Sequence, residues 1–222
     1  MSTRKRDIKD LLYEQVARIG KAVSSPKRLE LLELLAQGEK TVELLAQELS
    51  IDVKLASAHL KALKAARLVE PRREGKYMVY RLSGEDVAQL WVTLRLVAEE
   101  HLVELQLALR KMVAAPEQLT QASRKELLAQ AKRGDIIVLD VRPQEEYDVV
   151  HLPYARSMPV AEIEKRLAEL PKGREIVAYC RGPFCLFSDE AQQLLTRKGY
   201  RVRKLLDGVA EWQAAGMPLE RG

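Results

Sequence analysis

The chain has 222 residues, 47% hydrophobic and 31% charged, with a net charge of +5. That length suits two domains of roughly 100 residues each, and the balance is that of folded domains rather than of a disordered segment. No apolar run approaches the roughly 18 residues needed to cross a bilayer, so a membrane partner is not expected.

The excess base sits in the first half. Residues 1–112 hold 20 Lys+Arg against 16 Asp+Glu, and the remainder holds 17 against 16. A DNA-binding half needs a bias of that sign. The start, Met1 to Asp7, is charged and no apolar signal segment follows it, so a cytoplasmic location is expected.

From Asp7 to Val23 the positions Ile8, Leu11, Leu12, Val16 and Ile19 follow a helical period. Ser24-Ser25-Pro26 breaks that helix and opens the next, with Pro26 in the first turn, where its missing N–H leaves no bond unmade. Leu29, Leu31, Leu32, Leu34 and Leu35 predict a short buried helix closed by Gln37-Gly38. Thr41 caps a third helix, Val42 to Leu49. Ser50-Ile51-Asp52 turns into a fourth, Val53 to Ala66, whose core side is Ala56, Leu60 and Leu63. Two β-prone runs within Leu68–Leu82 flank Glu74-Gly75-Lys76 and predict a hairpin. A long helix then runs from Ser83-Gly84-Glu85 to about Val113. It holds more Leu and Val than one packing face needs, so a second face is expected to bury against a partner.

Ala114-Ala115-Pro116 ends that helix. The expected organisation is a first domain over 1–113, a linker over 114–123 and a second domain over 124–222. In the second domain Ile136–Leu139 is a continuous apolar run, as in a parallel strand buried on both faces. Glu175–Tyr179 is a second such strand and Tyr200–Leu205 a third. Helical stretches over Ala161–Glu169, Cys185–Arg197 and Val209–Ala215 complete an α/β domain with a parallel sheet.

Helix, turn, helix and basic hairpin make a mainly α winged helix-turn-helix, and double-stranded DNA is its expected partner. The helix beginning near Lys54 would enter the major groove, with Lys54, Ser57, Ala58, His59 and Lys61 supplying base-edge and phosphate contacts. Arg72, Arg73 and Lys76 at the wing tip would reach an adjacent phosphate or minor groove. The plainer alternatives are that His59 packs beneath its helix and that Arg72 and Arg73 form a solvated turn. The stretches Leu55–Val69, Arg72–Tyr77 and Val79–Leu82 resemble the ArsR/SmtB family of winged-helix repressors. The resemblance implies a homodimer, with the first and last helices of the domain at its interface and two recognition helices on a near-palindromic operator. Many members of that family sense metals. The first domain here has no cysteine, which rules out a soft thiolate site within it. A harder site near His101 would draw on Asp86, Glu99, Glu100 and Glu104, and a surface or interface role for His101 is the simpler alternative. Neither a metal site nor a cofactor is expected.

Cys180 and Cys185 are the two cysteines of the chain. In a reducing cytoplasm such a pair reads as reactive chemistry rather than as a structural bridge. Cys180 ends a strand and is followed by Arg181, Gly182, Pro183, Phe184, Cys185 and Leu186, then a helix. A cysteine so placed feels the helix N-terminus and nearby backbone N–H groups, and Arg181 adds a cation; all favour the thiolate. The segments Asp140-Val141-Arg142, Glu145-Glu146-Tyr147, His151-Leu152-Pro153, Tyr179-Cys180-Arg181-Gly182, Leu206–Trp212 and Gly216-Met217-Pro218 resemble the rhodanese family in residue type and order. The resemblance implies that Cys180 takes up a sulfane sulfur as a persulfide from a small sulfur donor and passes it to a thiol acceptor. It also places Asp140 and Arg142 at the end of the first strand, where they are expected to brace the loop rather than do chemistry. The family commonly has Arg, Ser or Thr five residues after the cysteine; here Cys185 stands there. The loop is longer than the common pattern, as in phosphatase relatives of this fold. None of Cys185, Leu186, Phe187 and Ser188 is the Arg those relatives use, so phosphatase activity is not expected. Cys185 either resolves a persulfide on Cys180 into a disulfide or sulfur bridge or is a small buried residue at the helix start. Phe184 and Trp212 are expected to pack, with Phe184 also able to line a pocket.

The expected function is that of a DNA-binding regulator, a repressor, in which Cys180 senses or transfers sulfane sulfur. The alternatives are a working sulfurtransferase with an attached winged helix, and an arsenic- or metal-responsive repressor.

Overall fold

The computed structural model describes residues 3–112 and 116–222. Val113, Ala114 and Ala115, on which the expected helix end and linker start fall, lie outside the described residues. Two compact units result, Met1–Trp91 and Val92–Gly222.

The first unit opens with α1 (Thr3–Val23) and α2 (Pro26–Leu35), the latter with Ser25 at its N-cap and Pro26 in the first turn. A short strand β1 (Lys40–Thr41) leads into α3 (Val42–Glu48), where the Thr41 side chain accepts from the Leu44 N–H. Asp52 caps α4 (Val53–Ala65) in the same way, through the Leu55 N–H. These caps satisfy orphan donors that would otherwise fray a short helix. Leu31, Leu32, Leu45, Ala56, Leu60 and Leu63 close the core beneath α4 and are fully or almost fully buried. β2 (Val69–Glu74) and β3 (Tyr77–Leu82) pair antiparallel through a turn at Gly75, whose φ of +57° suits glycine. β1 joins the other edge of β3, giving the order β1-β3-β2.

The expected long helix is in fact two, α5 (Glu85–His101) and α6 (Val103–Met112), with the boundary between the compact units inside α5. The Gln106 side chain donates to the carbonyls of Glu99 and Glu100, which a continuous helix would pair with backbone N–H groups.

In the second unit a 3-10 turn at Pro116–Gln118 precedes α7 (Arg124–Arg133), which the sequence pattern does not reveal. Then follow β4 (Ile136–Asp140), α8 (Gln144–Val149) and β5 (Arg156–Ser157). The stretch expected as one helix near residue 165 is a 3-10 turn, the four-residue α9 (Ile163–Arg166) and another 3-10 turn. β6 (Glu175–Tyr179), α10 (Phe187–Arg197), β7 (Val202–Lys204) and α11 (Val209–Ala214) complete the unit. The sheet order is β5-β4-β6-β7, and all its pairs are parallel. Alternation along the strands feeds two cores. Ile137, Leu139, Ile176 and Ala178 join one apolar cluster, whereas Ile136, Val138, Val177 and Tyr179 join the other. Both faces are covered, which is why β4 reads as an unbroken apolar run.

Candidate functional site

Cys180 follows the last residue of β6 and is 1% exposed. Cys185 lies five residues on, across the loop that leads into α10, and is part-exposed. The two sulfurs are bonded at 2.04 Å, with their Cα atoms 6.3 Å apart. The loop turns back on itself, since the Cys185 N–H donates to the Gly182 carbonyl at 3.1 Å. Gly182 and Arg181 are buried, Pro183 and Phe184 are half-buried, and Leu186 stands exposed at the rim.

Three buried ion pairs, besides the Arg95–Glu211 pair described below, hold this loop and its surroundings. Arg142 forks onto Asp140, with Nη2 to Oδ2 at 2.6 Å, and both side chains are wholly buried. The same Nη2 donates to the Val150 carbonyl at 2.8 Å, and the Tyr179 hydroxyl donates to Asp140 while accepting from the Leu152 N–H. The pair therefore ties the ends of β4 and β6 to the segment near residue 151. Burial, with Asp140 beside it, pushes the Tyr179 hydroxyl well above its ordinary pKa, so it stays a donor. Arg181 forks onto Glu146, with Nε to Oε2 at 3.0 Å. Its positive charge is thus largely spent on Glu146 instead of standing free beside Cys180. On the far side, Lys204 of β7 pairs with Asp189 in the first turn of α10, again out of solvent.

α11 approaches from below. The Gly208 backbone lies so close to the carbonyls of Cys180 and Arg181 that an added Cβ would fall 2.3 Å from the Arg181 oxygen. Glu211 caps α11 by accepting the Gly208 N–H at 2.7 Å, and its carboxylate lies against Gly182. Burial raises the Glu211 pKa; Arg95, bonded to it at 2.9 Å, opposes that rise. Trp212 is fully buried in the apolar cluster around Val177 and Tyr179. Phe184 faces the Arg95 guanidinium.

In the first unit, Lys54, Ala58 and Lys61 share the exposed side of α4, with Ser57 half-buried beside them. His59 is also half-buried. Arg72, Arg73 and Lys76 are exposed around the β2–β3 turn. They are not equivalent. Arg72 is bridged to Glu39 at 2.7 Å and Glu74 at 2.6 Å, and those carboxylates raise its pKa. Arg73 bonds the Gly75 carbonyl, and Lys76 lies over the Tyr77 ring.

Among the described residues, no three His, Cys, Asp or Glu side chains converge as a metal site. No helix among them is long and apolar enough to cross a membrane.

Residues 25–70, from α2 into β2, match the family model described as bacterial regulatory protein, arsR family; residues 123–215, from α7 through α11, match that of the rhodanese-like domain. The HTH-type transcriptional regulator Rv0324 of Mycobacterium tuberculosis is 44% identical over 216 residues, 97% of this chain and 95% of that protein. The chain belongs to the arsR family. Its rhodanese-like part is 34% identical over 90 residues to a sulfurtransferase of Allochromatium vinosum, covering 40% of this chain and 82% of that one. Its winged helix-turn-helix part is 48% identical to the homodimeric DNA-binding domain of a possible ArsR-family regulator from Mycobacterium bovis, solved by NMR. That similarity covers 47% of this chain and 93% of the solved one, with a TM-score of 0.42.

In this arsR-family chain, the sequence marks Cys180, Cys185, Asp140 and Arg142, and the structure bonds the two cysteines and pairs Asp140 with Arg142. Sequence reasoning misses Glu146, Gly208, Glu211, Lys204 and Arg95. The Glu145-Glu146-Tyr147 segment was a usable signal for Glu146. Nothing in the local pattern marks Arg95, which meets its partner 116 positions away.

Proposed function

We propose that this protein is a DNA-binding transcription regulator, a repressor, whose rhodanese-like domain senses sulfane sulfur through Cys180 with Cys185 as the resolving thiol. The observation that carries this reading is the Cys180–Cys185 bond at the mouth of β6 in a chain of the arsR family. In the reduced pair, the Cys180 thiolate attacks a sulfane sulfur of a hydropolysulfide. A Cys180 Sγ–S bond forms, an S–S bond of the donor breaks and a shortened polysulfide leaves. The Cys185 thiolate then attacks Cys180 Sγ, and the outer sulfur departs as hydrosulfide. The dithiol is oxidised to the disulfide and the sulfane sulfur is reduced to sulfide. The bonded form, with Cys180 covered, is the closed end of that cycle.

The protein acts as a cytoplasmic homodimer on an operator. Ile8, Leu12 and Val16 on α1, with Leu96, Val97, Val103 and Leu107 on α5 and α6, are all exposed in the single chain. So many large apolar side chains in water favour a second copy as their cover. Lys54, Ser57, Ala58, His59 and Lys61 face the major groove, and the wing lies alongside.

Cys180→Ser is expected to leave binding to DNA from the protein's own promoter in place and to abolish any change on polysulfide treatment. Gel shift and intact-mass spectrometry read both; a Cys180→Ser protein that still responds removes Cys180 from the mechanism. Arg72→Ala with Arg73→Ala is expected to weaken operator binding and flatten its salt dependence, chiefly through Arg73, since Arg72 must first leave Glu39 and Glu74. An unchanged slope in a salt titration removes the wing from the interface. A second reading, a working sulfurtransferase, is favoured by the similarity to the Allochromatium vinosum protein. Repeated turnover of thiosulfate or polysulfide with cyanide separates an enzyme, which cycles, from a sensor, which reacts once.

A further inference from the structure

We propose that Arg95 is a positioning residue for the Cys180–Cys185 loop: it holds the Glu211 carboxylate and the Phe184 ring against that loop and so sets the ionisation and redox balance of the cysteine pair. The inference rests on the reading of Cys180 as a thiol that reacts once reduced. Arg95 and its contacts all lie within the unit Val92–Gly222. Its side chain is 3% exposed, an unusual setting for a cation, and one that demands matched partners. Nη2 donates to Glu211 Oε1 at 2.9 Å, Nη1 pairs with Glu99, and the guanidinium carbon stands 5.9 Å from the Phe184 ring centroid. Glu211 in turn accepts from Gly208 and lies against Gly182. One guanidinium thus reaches the loop at two positions, Gly182 through Glu211 and Phe184 across its ring face.

The charges around the loop make the expected effect specific. Arg181 is matched by Glu146, Asp189 by Lys204, and Asp140 by Arg142 with the Tyr179 hydroxyl bonded to it. Asp207, next to Gly208, is matched by Arg124. Without Arg95, Glu211 and Glu99 both lose their cation, and the negative charge that Glu211 keeps above its raised pKa stands unmatched beside the loop. A nearby anion disfavours a thiolate and stabilises the thiol, and it leaves the disulfide relatively more stable at neutral pH.

The test uses the full-length protein, reduced, at low salt. Cys180 alkylation by iodoacetamide is followed against pH in a Cys185→Ser background, and the native pair is equilibrated in glutathione buffers. Arg95→Gln is expected to slow Cys180 alkylation at pH 7 about tenfold, as for a thiol pKa raised by one, and to shift the native pair toward the disulfide. Arg95→Lys, which keeps the charge but loses the fork, is expected to fall between. Arg95→Gln combined with Glu211→Gln is expected to return toward wild type. If Arg95→Gln does not fold, Glu211→Gln alone carries the test. It leaves Arg95 paired with Glu99 alone, with more of its charge felt at the loop, and is expected to lower the alkylation midpoint. A depressed wild-type midpoint that neither variant moves overturns the role of Arg95 alone. A wild-type Cys180 that alkylates as an ordinary thiol overturns the reading of Cys180 itself, and the Arg95 assignment with it.

Discussion

Asp140→Asn is expected to destabilise the second unit by about 3–5 kcal/mol, the cost of stranding one member of a buried ion pair. The Arg142 guanidinium has no solvent to retreat to, for both side chains are wholly buried. Burial alone would lower the Arg142 pKa, yet the Asp140 carboxylate outweighs it and holds the group charged. An amide in its place removes the main anion facing that cation and takes the anionic acceptor from the Tyr179 hydroxyl. Urea unfolding read by tryptophan emission tests this, because Trp212 lies in the same unit. Asp140→Asn with Arg142→Met is expected to cost less than Asp140→Asn alone, since a buried pair replaced by apolar volume is often close to neutral. Equal losses in the two proteins would mean that packing, not charge, is what Asp140 supplies.

Gly208→Ala is expected to cost about 3 kcal/mol, at the upper end of ordinary overpacking. The added methyl carbon would lie 2.3 Å from the Arg181 oxygen, 2.5 Å from the Arg181 carbonyl carbon and 2.7 Å from the Cys180 oxygen. All three are backbone atoms, so no side chain can swing aside. Either α11 lifts away or the loop shifts, and both separate Glu211 from Gly182. Gly20→Ala is the natural control. Gly20 lies within α1 with nothing within 4 Å of an added Cβ, and Ala there gains about 0.5–1 kcal/mol of helix propensity. A Gly208→Ala protein with a wild-type unfolding midpoint would refute this close approach.

The sequence makes elements legible where one physical signal dominates. Ala56, Leu60 and Leu63 mark the buried side of α4, and Thr41 and Asp52 mark helix starts through their side-chain oxygens. The apolar run at β4 reflects burial on both faces. What escapes are elements too short or too polar to leave a period. β5 has two residues, α8 has six, and α7 buries only Leu127 and Ala131. The break at Leu102 escapes because no Gly or Pro marks it, and the carbonyls it frees are taken up by the Gln106 side chain. At the site, the cysteines are legible by type and position, whereas their environment is not. Glu146 is 35 positions from Arg181 and Glu211 is 116 from Arg95. Pairing over such separations is set by tertiary packing, and it changes the chemistry: the cation expected to activate Cys180 is already matched.

The unequal burial of the two bonded cysteines favours one direction for reopening the bridge. A reducing nucleophile must approach one sulfur in line with the bond, and Cys180 is sealed while Cys185 is part-exposed. Attack is therefore expected at Cys185, with the incoming group tethered there as a mixed disulfide and Cys180 departing as the leaving thiolate. On that course the inner sulfur emerges already ionised, while the outer cysteine carries the reductant.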